Sequence, residues 1–307
     1  MKRRKIAVFL AGQTGNQLFQ LAAAEYQNLL SDQQDFEIEV LVSDATPVTF
    51  LSIKYPKVSI SQLEHKLLSF LLSRNLNQQR SALLAFSVQI VRLVLKMLFV
   101  YRLKSFVSIT VSDAVGSPPP LLPENRKGVT VLIGYFQEYY FADVADEIRM
   151  RMRSLIPALS FQESTDNAEE ITLHVRRTDY SESLDLGMLD SSFYIGCLNN
   201  CFPESDWKTK NIRIVTDDPL LSWNFLGSNS DCLNILSPIQ QTALEAFHSL
   251  LNARQIVIAN SSFGWWAAYL NSGEERRVLA PSPWFRTIEA LTQNPSTWLR
   301  CPAVWSN

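Results

Sequence analysis

KIAVFLAGQTGNQLFQ, residues Lys5–Gln20, is the stretch whose reading decides the fold. Lys5–Leu10 is a short apolar run that reads as a buried strand, and Ala11–Gly15, with two glycines, reads as a tight loop. Asn16–Leu30 then reads as a helix, because Leu18, Leu21, Ala22 and Leu29 recur near helical spacing. Glu37–Val42 reads as a second strand that ends at Ser43 and Asp44. A strand, a tight loop, a helix and another strand favour a parallel sheet covered by helices. The basic residues before Ile6 do not make this a signal peptide, since Ile6–Ala11 is too short for an apolar core of that kind.

Working outward, a helical and basic region is predicted from about Leu63 to Lys104. Gly116–Pro123, rich in proline, reads as a loop before a strand at Val129–Ile133. A helix follows around Ala142–Leu155, and Pro157 with the polar stretch Glu163–Asn167 reads as an interdomain connection. A second alternating series then begins: strands at Ile171–Val175, Ile212–Val215, Gln255–Ala259 and Arg277–Ala280, and helices at Ser191–Asn200, Gln241–Leu251 and Ser262–Leu270. The expected organisation is two α/β halves, 1–160 and 161–307, with no internal repeat.

Of the 307 residues, 47% are apolar and 19% charged, with a net charge of −2. This is ordinary globular composition, and the length allows two domains of roughly 150 residues. The charge balance gives no general pull towards nucleic acid, so none is expected as a partner. Cys197, Cys201, Cys232 and Cys301 lack the paired spacing of a zinc site and read as buried thiols in a reducing compartment. The average hides one uneven segment. From His65 to Ser112 there is no Asp or Glu, whereas Lys66, Arg74, Arg80, Arg92, Lys96, Arg102 and Lys104 are all basic. No uncharged apolar run there reaches the roughly 18 residues of a membrane span. Two readings stand: a helix lying on an anionic membrane surface, and a core helix pair with a solvated basic rim.

In open α/β sheets, ligands bind beyond the carboxyl ends of strands. Four polar clusters fall there. In Gly12–Gln17, the N–H groups around Gly15, Asn16 and Gln17 suit an anion or a sugar hydroxyl; the alternative is a plain turn with Asn16 as the helix cap. HVRRTDY (His174–Tyr180) sets Arg176 and Arg177 directly after a buried strand, a natural fork for phosphate charge, with Asp179 able to orient an arginine or act as a base. An interdomain salt bridge for either arginine, and a satisfied core histidine for His174, are the structural alternatives. TDDP (Thr216–Pro219) offers Asp217 and Asp218 to a base or ribose, or one of them as a helix cap. This adjacent pair has no accompanying ligand cluster, so no metal is expected. NSSFGWW (Asn260–Trp266) offers Asn260, Ser261 and Ser262 hydroxyls and amides for a diphosphate, with the aromatics more suited to core packing.

Taken in order, these motifs resemble those of the α-1,2-fucosyltransferases, glycosyltransferase family 11, within the wider HxRRxD group of fucosyltransferases. GQTGNQLFQ (Gly12–Gln20) is similar to the family's N-terminal signature, and GYFQ (Gly134–Gln137) to its central segment. Thr178 stands where the family usually has Gly, and Ala11 replaces a common first Gly of the loop. The resemblance implies a GT-B architecture, two Rossmann-like domains with parallel sheets facing a cleft. The N-terminal one would lie on the acceptor side and the C-terminal one would bind GDP-β-L-fucose. It also implies inverting transfer of L-fucose, without a cofactor or metal, to the 2-hydroxyl of galactose at the end of an oligosaccharide or lipid-linked glycan. On that reading Arg177, and next to it Arg176, would stabilise the leaving β-phosphate. His174, Asp217 or Asp218, and Asn260, Ser261, Ser262 and Phe263 would surround the nucleotide. An inverting reaction also wants a base near the attacking hydroxyl, and Asp179 is the candidate in the motif. A cytoplasmic enzyme of O-antigen or capsule synthesis, peripheral at the inner membrane face, is expected. Two other classes stay open: a dinucleotide-dependent oxidoreductase, from the glycine loop and Asp44, and a catalytically silent glycan-binding or assembly protein.

Overall fold

The computed structural model of the chain describes residues 4–31, 36–73, 82–103, 105–111, 118–119, 122, 128–157, 170–181, 183–201, 207, 211–221, 223–227, 233–236, 239–271, 276–288 and 294–306. The chain divides into two compact units, Met1–Ile156 and Pro157–Asn307. The polar connection expected at Glu163–Asn167 and most of the proline-rich stretch 116–123 lie outside the described residues.

In the first unit β1 (Arg4–Phe9), α1 (Thr14–Leu30), β2 (Phe36–Val42), β3 (Lys57–Ser59), α2 (Gln62–Ser73), α3 (Ala82–Leu103), β4 (Val107–Val111), β5 (Val129–Ile133) and α4 (Ala145–Arg153) follow one another. The strands pair in parallel in the order β3-β2-β1-β5-β4. Central strands of such a sheet are covered on both faces, which is why β1 and β5 read as continuous apolar runs. All of Val129–Ile133 is buried. Phe9, Leu41, Leu68, Leu95, Phe99 and Val131 meet in one core.

The second unit contains β6 (Glu170–Val175), α5 (Ser191–Cys201), β7 (Asn211–Thr216), β8 (Leu233–Leu236), α6 (Ala243–Leu251), β9 (Gln255–Val257), α7 (Ser262–Leu270), β10 (Arg277–Ser282) and β11 (Leu299–Pro302). Its strands are again parallel, in the order β11-β10-β9-β6-β7-β8. Leu173, Phe193, Tyr194, Ile214, Val257 and Leu279 form its core. Helix α6 starts in a capping box: Thr242 Oγ1 accepts from Glu245 N, and Glu245 Oε2 accepts from Thr242 N. Helix α7 is buried almost all round, with Trp265 and Trp266 fully enclosed. Two enclosed indoles contribute roughly 3 kcal/mol or more each from apolar burial.

Two parallel-sheet α/β units are what the sequence led one to expect. Four strands were not foreseen: β3, β4, β8 and β11. Each lies at a sheet edge. The first turn of α1 is a second departure. The helix starts at Thr14, with Gln13 in the cap position and no side-chain cap bond, so Asn16 is not the helix cap. Of the four cysteines, Cys197 and Cys301 are buried, while the Cys201 side chain and Cys232 lie outside the described residues.

Candidate functional site

Both sheets reverse their strand order beside a central strand, and the crevice outside the carboxyl ends at such a point is where open α/β sheets bind ligands. In the second unit the reversal lies between β6 and β9. Arg176 and Arg177 follow β6, Asp217 and Asp218 follow β7, and Asn260–Ser262 follow β9 and open α7. The topology therefore gathers three of the four polar clusters.

Asp217 organises the turn after β6. Its carboxylate accepts from the backbone N–H of Arg177 (2.8 Å) and of Thr178 (3.3 Å), and from the Thr178 hydroxyl. It also pairs with Arg176 Nη1 at 3.2 Å. The side chain of Thr178, the position where Gly is usual in the resembled family, supplies one of these bonds. The two arginines differ. Arg176 is forked onto Asp179, Nε to Oδ1 and Nη2 to Oδ2, both at 2.9 Å, and lies over the Tyr180 ring. Burial draws its pKa down, but the Asp179 hydrogen bonds and the Asp217 and Asp179 charges outweigh this and leave it raised. Arg177 is held loosely: its Nε is 3.4 Å from Asp218 Oδ2, and its guanidinium lies over the Phe225 ring. Asp218 in turn closes its own turn, its Oδ1 accepting from Leu220 N at 2.8 Å and its N–H donating to Thr216 Oγ1.

His174 is buried at the end of β6, and burial, followed by the Arg176 charge, lowers its pKa to about 4. It is a neutral imidazole at pH 7. Its Nδ1 has no hydrogen-bond partner among the described residues. Gly264 explains the packing: a Cβ added there would fall 2.2 Å from His174 Nδ1, so only glycine lets α7 approach β6 this closely. Phe263 packs edge-on against Phe247 at 5.2 Å and lies 6.1 Å from the His174 ring. Asn260 is buried, and its Nδ2 donates to the carbonyls of Leu186 (2.9 Å) and Gly187 (3.0 Å). The Tyr180 hydroxyl donates to the Asn260 carbonyl at 2.9 Å. Ser261 is the cap residue of α7 but makes no side-chain cap bond; Ser262 begins the helix.

In the first unit the reversal lies between β1 and β5. Gln20, fully buried, ties the two strand ends together: Ala11 N donates to its Oε1 (2.9 Å) and its Nε2 donates to the Gly134 carbonyl (3.2 Å). Gln137 Nε2 donates to Asn16 Oδ1 at 2.7 Å. Gln17 is buried and braces the loop, its Nε2 donating to the Gly12 and Pro47 carbonyls and its Oε1 accepting from the Thr49 hydroxyl. Gly15 is a buried position in the first turn of α1. Phe136 takes a left-handed backbone, φ 51°, a strained setting for a non-glycine residue beside Gln137. Gln20, Gln137, Gly264 and Tyr180 thus join the candidate sites without having been named as site residues. All four stood in quoted motifs, but a side chain gives no sign in sequence of which distant group it will meet.

The family model for glycosyl transferase family 11 matches residues 129–287. The chain belongs to glycosyl transferase family 11. An alpha-1,2-colitosyltransferase from Escherichia coli is 26% identical over 194 residues, 59% of this chain and 63% of the relative. The O-antigen biosynthesis glycosyltransferase WbnK, also from Escherichia coli, is 25% identical over 146 residues, 44% of this chain and 45% of that one. The chain thus spans about half to two-thirds of the curated relatives it matches. Among solved structures, E. coli heptosyltransferase WaaC with ADP is 11% identical with a TM-score of 0.41, covering 97% of this chain and 90% of that one. The family 11 match takes in β5, the GYFQ segment and the whole second-unit site, and leaves the loop between β1 and α1 outside. Membership in a glycosyltransferase family sets aside the oxidoreductase reading.

Proposed function

We propose that this family 11 protein is an inverting glycosyltransferase that moves L-fucose from GDP-β-L-fucose to the 2-hydroxyl of a galactose acceptor in bacterial surface polysaccharide. The observation that carries the reading is the unequal bonding of the two arginines. Arg176 is fixed by two carboxylates, whereas Arg177 has one ion pair among the described residues, Nε to Asp218 at 3.4 Å, and can turn to a phosphate. In the reaction the acceptor hydroxyl oxygen attacks the anomeric carbon and its proton passes to solvent, the bond from that carbon to the β-phosphate oxygen breaks, and GDP departs with the electron pair. Charge grows on the β-phosphate as the bond breaks, so a guanidinium there favours the transition state over the ground state. Asp179, with both oxygens on Arg176, serves that arginine as its orienting partner. The neutral His174, the α7 N-terminus at Ser261 and Ser262, and Phe263 form the nucleotide side. Gly15, Asn16 and Gln17 shape the acceptor-side loop. No metal or cofactor enters this scheme.

The donor has one competing identity. The colitosyltransferase relative makes GDP-colitose the other candidate, colitose being L-fucose without its 3-hydroxyl. A glycan acceptor on a lipid carrier at the cytoplasmic membrane face fits the O-antigen relative's name. The test is GDP release with each nucleotide sugar and a galactosyl acceptor. Release only with GDP-fucose is expected; release only with GDP-colitose reassigns the donor, and none with either leaves a glycan-binding protein.

A further inference from the structure

Helix α3 is apolar on two opposite faces, but among the described residues only one is covered. Leu95 and Phe99 are fully buried in the first-unit core, with Val88 and Val91 packed beside them. The opposite face carries Phe86, Ile90, Leu93, Met97, Val100 and Tyr101, at steps of three and four residues that align them along one stripe. These are exposed: Phe86 by 67%, Met97 by 64% and Tyr101 by 87%. A helix apolar all round belongs in a core or against lipid. Scattered exposed hydrophobes are ordinary, but a continuous helical stripe of them marks an interaction surface.

The surrounding charge identifies the occupant. Arg92 and Lys96 sit one turn apart along one edge of the stripe, and Lys96 lies over the exposed Phe106 ring at 5.2 Å. From His65 to Ser112 the chain has no carboxylate. A second copy of the same surface would therefore add like charges with no acid to pair with, whereas an anionic lipid surface complements them and takes up the apolar stripe. Among the described residues no helix is long and apolar enough to cross a membrane. We propose that α3 is an interfacial helix that lies in the headgroup region of an anionic bilayer through the Phe86–Tyr101 stripe. This stands whichever sugar is transferred.

The test uses the full chain and vesicles of phosphatidylcholine, with and without phosphatidylglycerol. The protein should sediment with the anionic vesicles, and less so at high salt. Replacing Phe86, Ile90, Leu93 and Met97 together by Ser should weaken partitioning by at least tenfold, on the scale of burying several apolar side chains. Lys96→Gln should weaken it about fivefold. Both variants should keep the far-UV circular dichroism and the GDP release of the parent with a soluble acceptor. Hydrogen exchange on the unmutated protein gives a readout independent of their folding: residues 86–101 should gain protection when anionic vesicles are added. No sedimentation, sedimentation that the Ser substitutions leave unchanged, or a concentration-dependent dimer that they abolish in the absence of lipid would each overturn the proposal.

Discussion

Arg176 and Arg177 are neighbours in sequence and opposites in bonding, and their variants should differ accordingly. Arg177→Ala should reduce GDP release by roughly 100-fold or more, the usual effect of removing a group that stabilises transition-state charge, with thermal stability unchanged. Arg176→Ala strips partners from Asp179 and Asp217, so it should lower both turnover and melting temperature. His174 gives a pH signature. Its folded pKa of about 4 lies below the unfolded value near 6.5, so unfolding takes up a proton between those limits. The stability this contributes is complete above pH 6.5 and is lost as pH falls through 4, about 3 kcal/mol in all. Urea titrations at pH 7.5 and pH 4 should show a smaller difference in His174→Gln than in the parent. At this scale the sequence was informative about charge and silent about partners. The arginine fork and the adjacent aspartates stood out, but that Asp217 would hold the backbone of Arg177 and Thr178 depends on strand register across forty residues.

The contact between α7 and β6 is set by one missing methyl. Gly264→Ala would bring a Cβ into the His174 ring, and should destabilise the second unit by about 1–3 kcal/mol through overpacking. Combining it with His174→Ala should recover part of that loss, the sign of direct coupling in a double-mutant cycle. The loop between β1 and α1 has a similar constraint at Gly12, where φ is +71° and an added Cβ would meet Asn16 Nδ2 at 2.2 Å. Elements were legible in sequence in proportion to their burial. β1, β5 and β6 are fully or nearly enclosed, and their apolar runs announce them. The four unforeseen strands are edges; β3 alternates exposed and half-buried residues, and β11 buries only Cys301. An edge strand is defined by what it pairs with more than by its own composition.

At the scale of the molecule, each unit has its own parallel sheet and its own apolar core, so each meets the physical requirement for folding by itself. Residues 157–307, expressed alone, should unfold cooperatively in urea and bind GDP in a calorimetric titration; a non-cooperative transition would show that the cores depend on each other. The two-unit plan was readable because strand and helix patterns restart after a polar stretch. For α3 the sequence left two readings, a surface-lying helix and a core helix, since a basic apolar helix looks the same in sequence whichever of its faces the fold covers. The charge ledger of the second-unit turn has one more consequence. Arg176 and Arg177 are set among Asp179, Asp217 and Asp218, so the turn carries more negative than positive charge before a donor arrives. On the proposed function, orthophosphate would have to displace a tethered carboxylate with nothing to offer in return, while a nucleoside diphosphate would bring a base and a ribose to offset that cost. On that function Asp218 weights the turn against the commonest anion it would meet.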